Sequence, residues 1–140
     1  MIVCGIDIKG NEAIFAVCKT DGHGDSEYIE NDLTKIALNN EDQDLYKEFL
    51  YTVKEFVIGN EIEKVYLRKP MDKGRQLSGP NAFRIEALIN LIEVPIVSLH
   101  PNTITSYIKK NENVIKNCDK TFKYQTNALA SVLCGIGKEQ

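Results

Sequence analysis

The stretch Cys4-Gly5-Ile6-Asp7-Ile8-Lys9-Gly10-Asn11-Glu12-Ala13-Ile14-Phe15 decides how the chain is read. Residues 2–8 alternate as a strand whose two faces are both largely apolar. Ile2, Cys4, Ile6 and Ile8 share one face, and Val3, Gly5 and Asp7 the other. A strand apolar on both faces belongs in the middle of a sheet covered on both sides. Lys9-Gly10-Asn11 is a turn, and Glu12 to Lys19 forms a second strand, so the segment is a hairpin. Within it Asp7 is an anomaly, because a carboxylate inside a sheet is costly unless a cation or a metal ion faces it.

Outward from the hairpin, a third strand is expected within residues 28–38. Asn40-Glu41-Asp42 supplies polar and acidic groups for a helix start. Leu45, Phe49, Leu50, Val53, Phe56 and Val57 then mark one helical face, with Gly59 as its stop. Residues 64–68 form a fourth strand, 69–80 a basic loop with Gly and Pro, and 81–92 an apolar helix. Residues 95–99 form a fifth strand. His100-Pro101 opens a helix carrying Ile104, Tyr107 and Ile108, with His100 as a capping residue. A polar connection over 111–117 leads to a last helix from about Asp119 to Cys134, stopped by Gly135. Tyr46, Tyr51 and Tyr107 fall at helical spacing from apolar positions and are expected to pack. The order predicts an α/β domain over residues 1–140, with a mixed five-stranded sheet of three antiparallel strands followed by βαβα, and helices on both faces.

Composition sets outer limits. The 140 residues contain 43% hydrophobic and 26% charged side chains, which suits one soluble globular domain. No apolar run approaches the roughly 18 residues that cross a membrane, and no signal peptide is expected. Cys4, Cys18, Cys118 and Cys134 form no C-x-x-C pair and His23 and His100 lie far apart, so neither a zinc site nor disulfides are expected, which fits the cytoplasm. Cys4, Cys18 and Cys134 are expected as small core residues. The net charge of −3 divides unevenly: residues 1–64 hold 14 Asp and Glu against 6 Lys and Arg, and residues 65–140 hold 6 against 11. That asymmetry supports either a basic face for a polyanion or two solvated faces of opposite sign.

The Gly-Ile-Asp strand, its hairpin and the β-α-β-α-β-α order resemble the ribonuclease H-like fold. The second half resembles the RuvC Holliday-junction resolvases. Residues 64–71 sit where those proteins carry a second strand carboxylate, and Ala82 to Ile92 resembles the helix after it. Pro95 to Lys109 resembles their Pro-Val-x-x-x-x-Pro-x-x-x-Lys stretch, and Asn127-Ala128-Leu129-Ala130 resembles Asp-Ala-Leu-Ala. The hairpin segment resembles most a family of small bacterial RuvC-like proteins known only as a domain of unknown function.

The resemblance implies three or four carboxylates holding two magnesium or manganese ions that activate water. Asp7 matches the first carboxylate. The second position falls at Arg68 or Lys69, and the acids of the last helix fall at Tyr124 and Asn127. This degenerate set, Asp7, Arg68, Lys69, Tyr124 and Asn127, implies no catalytic residues, no metal and no cofactor. Lys69 or Arg68 would then take the metal's place beside Asp7, and Asp7→Asn would cost on the order of a few kcal/mol by leaving a buried cation unpaired if the pair is enclosed. Asp72, Glu86 or Asp119 entering from another angle would instead rebuild a metal site and an active nuclease. Lys69, Lys73, Arg75 and Arg84 are the candidate nucleic-acid contacts; a solvated loop is the alternative. No aromatic residue interleaves the bases of this loop. A protein-interaction module on the same scaffold is a third reading. The resemblance also suggests a homodimer.

Overall fold

The computed structural model describes residues 1–21, 23–39, 41–71, 78–118 and 120–139. Strands β1 (Ile2–Lys9) and β2 (Glu12–Thr20) pair antiparallel with Lys9 opposite Glu12, leaving a two-residue loop. Gly10 leads that loop at φ 61°, where glycine alone avoids a steric penalty and where a hairpin with right-handed twist needs its first turn residue.

The edge beyond β2 differs from the single strand expected. Two short strands, β3 (Ser26–Ile29) and β4 (Lys35–Ala37), both pair antiparallel with β2, at opposite ends of it. The polar stretch around Asn31 and Asp32 interrupts the edge, and the Phe15 amide donates to the Thr34 carbonyl at 2.8 Å where pairing resumes. Among the described residues the sheet therefore has six strands. Its path is β3-β2-β1-β5-β6, with β5 (Lys64–Arg68) and β6 (Ile96–Leu99) parallel to β1.

Both crossovers lie on one face. Helix α1 (Gln43–Gly59) starts at Asp42, whose carboxylate accepts from the Leu45 amide at 2.9 Å. Helix α2 (Pro80–Ile89) opens with proline at a first-turn position that needs no N–H donor. They bury Phe49, Val53, Phe56, Ala82, Ile85 and others against Cys4, Ile6, Ile8, Phe15 and Leu67. Tyr46 packs against this core, whereas Tyr51 is 65% exposed, contrary to its expected role, because it falls on the solvent side of α1.

The opposite face is covered by α3 (Pro101–Lys110) and α5 (Thr126–Glu139). His100 caps α3, its Nδ1 accepting from the Asn102 amide at 3.0 Å. The 111–117 connection contains a short helix, α4 (Glu112–Lys116). Helix α5 departs from expectation at both ends. It begins at Thr126 after a 3-10 turn (Lys123–Gln125), and it runs through Gly135 without stopping. A Cβ on Gly135 would lie 2.2 Å from the Tyr66 ring, so the glycine serves close packing rather than termination. Cys4, Cys18 and Cys134 are buried; burial pushes the Cys18 thiol up to about 12 and raises the other two. No described helix is long and apolar enough to cross a membrane.

Candidate functional site at the carboxyl end of the central strand

The register of the sheet assembles the site. Ile6 stands beside Leu67 in the parallel β1–β5 pair, so the next residues, Asp7 and Arg68, are neighbours on the α5 face. Across the antiparallel pair Asp7 faces Ile14, which itself stands beside Lys35 of β4. The α5 backbone is pressed onto β1 at Gly5, where an added Cβ would meet the Ala128 carbonyl oxygen at 1.9 Å. This close approach places Asn127, one residue before Ala128, over Asp7, two residues beyond Gly5 on the same face.

Asp7 is 2% exposed. Asn127 on α5 lies near enough to favour its charged form, and Arg68 Nη1 lies 3.4 Å from Oδ1. That contact is long for a charge-assisted hydrogen bond, and Arg68 Nε is buried without a partner among the described residues. Burial therefore prevails: it raises the Asp7 pKa above the ordinary 3.8 even though Arg68, Asn127 and Lys9 pull it down. The cation beside Asp7 is Arg68, not Lys69. Lys69 is exposed, and its amide donates to the Leu99 carbonyl at 2.9 Å. Strand alternation accounts for this, because adjacent residues of β5 point to opposite faces.

The other expected residues disperse. The Tyr124 hydroxyl pairs with Thr34 Oγ1 at 2.5 Å, and its ring lies 4.9 Å from Lys35 Nζ. Its contacts are thus to the β4 edge. Arg84 is on α2, across the sheet from Arg68, and bonds Glu41 at 2.9 Å and Asn81 at 2.8 Å. It does not join a cluster with Arg68. Lys73, Arg75, Asp72 and Asp119 lie outside the described residues. Among the described residues no three His, Cys, Asp or Glu side chains gather where they would hold a metal ion.

Several site groups are not expected from the sequence. Gln125, fully buried, donates from Nε2 to the Phe15 carbonyl at 2.7 Å and accepts at Oε1 from the Phe122 amide at 2.8 Å. Phe122 stacks on Tyr124, with centroids 5.4 Å apart and planes at 5°. Their signal is the run Lys120-Thr121-Phe122-Lys123-Tyr124, where bases and aromatics alternate well away from the basic loop over 69–80.

A parallel pair inside a mixed sheet, an antiparallel hairpin on its flank and a helix crossing the first strand's end together define a ribonuclease H-like fold of the RuvC type. Solved structures agree. RuvC of Thermus thermophilus matches with a TM-score of 0.75 at 13% identity, over 99% of this chain and 96% of that one. The fowlpox virus resolvase in complex with Holliday junction DNA matches at 0.55 and 16%, over 99% of both chains. The yeast mitochondrial Holliday junction resolvase matches at 0.55 and 13%, over 96% of this chain and 77% of that one. The chain belongs to the family described as Protein of unknown function (DUF3010), whose model matches residues 1–133. Curated proteins yield no match to the sequence.

Proposed function

We propose that this chain is a RuvC-like domain without two-metal nuclease chemistry that binds nucleic acid through cations at the carboxyl ends of its central parallel strands. The observation that carries this reading is that Arg68 and Asn127 are the partners of Asp7. Two divalent ions bring four positive charges and take hard oxygen ligands. Asp7 offers one negative charge, Asn127 a neutral amide, and Arg68 only N–H donors. That donor set does not fit a two-metal centre, and no cleavage step is derived through one.

Binding has separate support. Ligands of open α/β sheets settle beyond the carboxyl ends of parallel strands. Lys9 and Lys69 are exposed at the ends of β1 and β5, Lys35 is exposed beside the Tyr124 ring, and Lys123 is exposed in the turn before α5. Glu12 takes up part of this charge through Lys35 at 3.7 Å. Lysines so placed neutralise phosphates without reading bases. The fowlpox resolvase of the same fold holds Holliday junction DNA.

The test is fluorescence anisotropy with a labelled duplex and a labelled four-way junction over a salt series, run beside a nuclease assay in magnesium and manganese. The logarithm of affinity is expected to fall linearly with log salt. Lys9→Ala with Lys69→Ala should weaken both ligands and lower the slope by about one for each phosphate no longer neutralised. No cleavage is expected. Cleavage that disappears in a folded Asp7→Asn variant would instead establish an active nuclease completed by a displaced acid. Binding absent at every salt concentration would leave the scaffold as a protein-interaction module.

A further inference from the structure

We propose that the Phe122–Tyr124 pair is a stacking platform for an unpaired base of single-stranded nucleic acid, with Lys120 and Lys123 on the adjoining phosphates. This inference rests on the nucleic-acid reading above and names the strand state and the aromatic contact it would use. Phe122 is 59% exposed, an unusual position for a ring that could have turned inward. One ring face rests on Tyr124, and the exposure leaves the other open to a further ring. Aromatic rings favour a parallel, offset partner, and any base supplies one.

The platform is held rigidly from beneath. Gln125 fixes the Phe122 amide and reaches through the core to the Phe15 carbonyl, and its Nε2 also donates to the Tyr28 hydroxyl at 3.1 Å. The Tyr124 hydroxyl is tied to Thr34. A surface ordered before binding loses less entropy on binding. Tyr124 packs partly against the α5-side core, whereas Phe122 stands out from it, since α5 packs through Ala128, Leu129, Val132 and Ile136.

The surroundings suit a nucleotide. Lys120 and Lys123 are exposed on either side of Phe122 in sequence. Beside the ring, Tyr28, Glu30, Asn31, Asp32, Lys120 and Phe122 line a cavity of about 440 Å³. The two carboxylates would repel a phosphate, yet they can accept from an exocyclic amine or a ribose hydroxyl, so the base side of a nucleotide fits the cavity and its phosphates fit the lysines. Tyr124 meets Thr34 and Lys35 at the β4 edge, and Lys35 stands beside Ile14, which faces Asp7.

Anisotropy with fluorescein-labelled oligothymidylate of about 20 nucleotides and with a duplex of equal length tests the proposal in the full chain. Phe122→Ala is expected to weaken single-strand binding on the order of 10-fold and leave duplex binding unchanged. Phe122→Trp should restore it. Because Phe122 is exposed, all variants are expected to fold, which circular dichroism melts verify. An unchanged single-strand affinity in Phe122→Ala, or an equal loss for single strand and duplex, overturns the platform while leaving backbone binding in place. A parent protein that binds neither ligand overturns the platform and the nucleic-acid reading together. A shift in oligomeric state on Phe122→Ala, read by sedimentation, with no change in single-strand affinity, overturns it in favour of a self-association surface.

Discussion

The two faces of the sheet are both packed by apolar side chains, but only one buries polar groups among them. The face under α1 and α2 is packed by aliphatic and aromatic side chains, with Phe15 against Phe56 at 4.9 Å between ring centres. The face under α5 carries Asp7, Gln125 and Ser131, and beside them Thr34, whose hydroxyl meets Tyr124. The first face is sustained by apolar area alone. The second is also packed by apolar side chains, among them Val3, Ile14, Tyr66, Leu129 and Val132, but sets polar groups among them, around the strand end where ligands of such sheets bind. Under the proposed function α1 and α2 form the supporting side and α5 the working side, and the division can be broken by substitution on either.

The largest effect is expected at Gly5. Gly5→Val would drive a side chain into the Ala128 carbonyl and the Val132 methyl. Neither can move without lifting α5 from β1, so a decrease of about 3 kcal/mol or more is expected in urea unfolding, and Asn127 would come away from Asp7. A variant that unfolds like the parent would show that α5 is not pressed onto the strand. Next is Ile85→Ala on the supporting side. It should cost about 2–5 kcal/mol through reduced burial and the cavity left behind, yet leave nucleic-acid affinity unchanged in the folded protein. A change in affinity at equal fold would erase the division between the faces.

Gln125→Leu should cost about 1–3 kcal/mol, because the Phe15 carbonyl and Phe122 amide would be left without their partner. Unlike Ile85→Ala, it should also weaken single-strand binding by freeing the platform. Stability and binding that separate here would detach the platform from its anchor.

The smallest effect concerns Asp7. From the sequence, Asp7→Asn is expected to cost a few kcal/mol if the pair is enclosed. The Arg68 side chain is 21% exposed and can reach water, so that condition is not met on its side, while burial has already raised the carboxyl pKa above 3.8. Between pH 3.8 and that raised value the folded chain binds more protons than the unfolded one. The contribution of Asp7 is therefore complete below pH 3.8 and is lost as pH rises through the folded pKa. Asp7→Asn should fall within about 1 kcal/mol of the parent at neutral pH and should flatten the stability profile across the acid window. A steep loss at neutral pH would mean that the Arg68 pair is tighter than its 3.4 Å separation implies.

Much of the architecture is legible in the sequence. Alternation of apolar residues over 2–8 sets the central strand, and β5 spans Lys64–Arg68 as expected. Asp42 and His100 mark helix starts, because capping depends on residues within one turn. The RuvC-like order follows from the succession of elements. The site is half legible: Asp7 stands out as a charge in an apolar strand, and Arg68 or Lys69 is expected beside it.

What the amino-acid sequence determined by itself was local: period-two strands, capped helices, a glycine in a tight turn, and a carboxylate where a strand should be apolar. The tertiary structure decided everything that depends on which distant residues meet. Parallel pairing with β1 chose Arg68 over Lys69, since a shift of one residue would have exchanged their faces. The seating of α5 made Gly135 a packing contact for Tyr66 instead of a helix stop. It also brought Gln125 to Phe15, 110 positions earlier in the chain, and so set an aromatic pair against the β4 edge. Propensity acts over a few residues, whereas these choices are fixed by the packing of α5 against the sheet, and that packing exists only once the chain has folded.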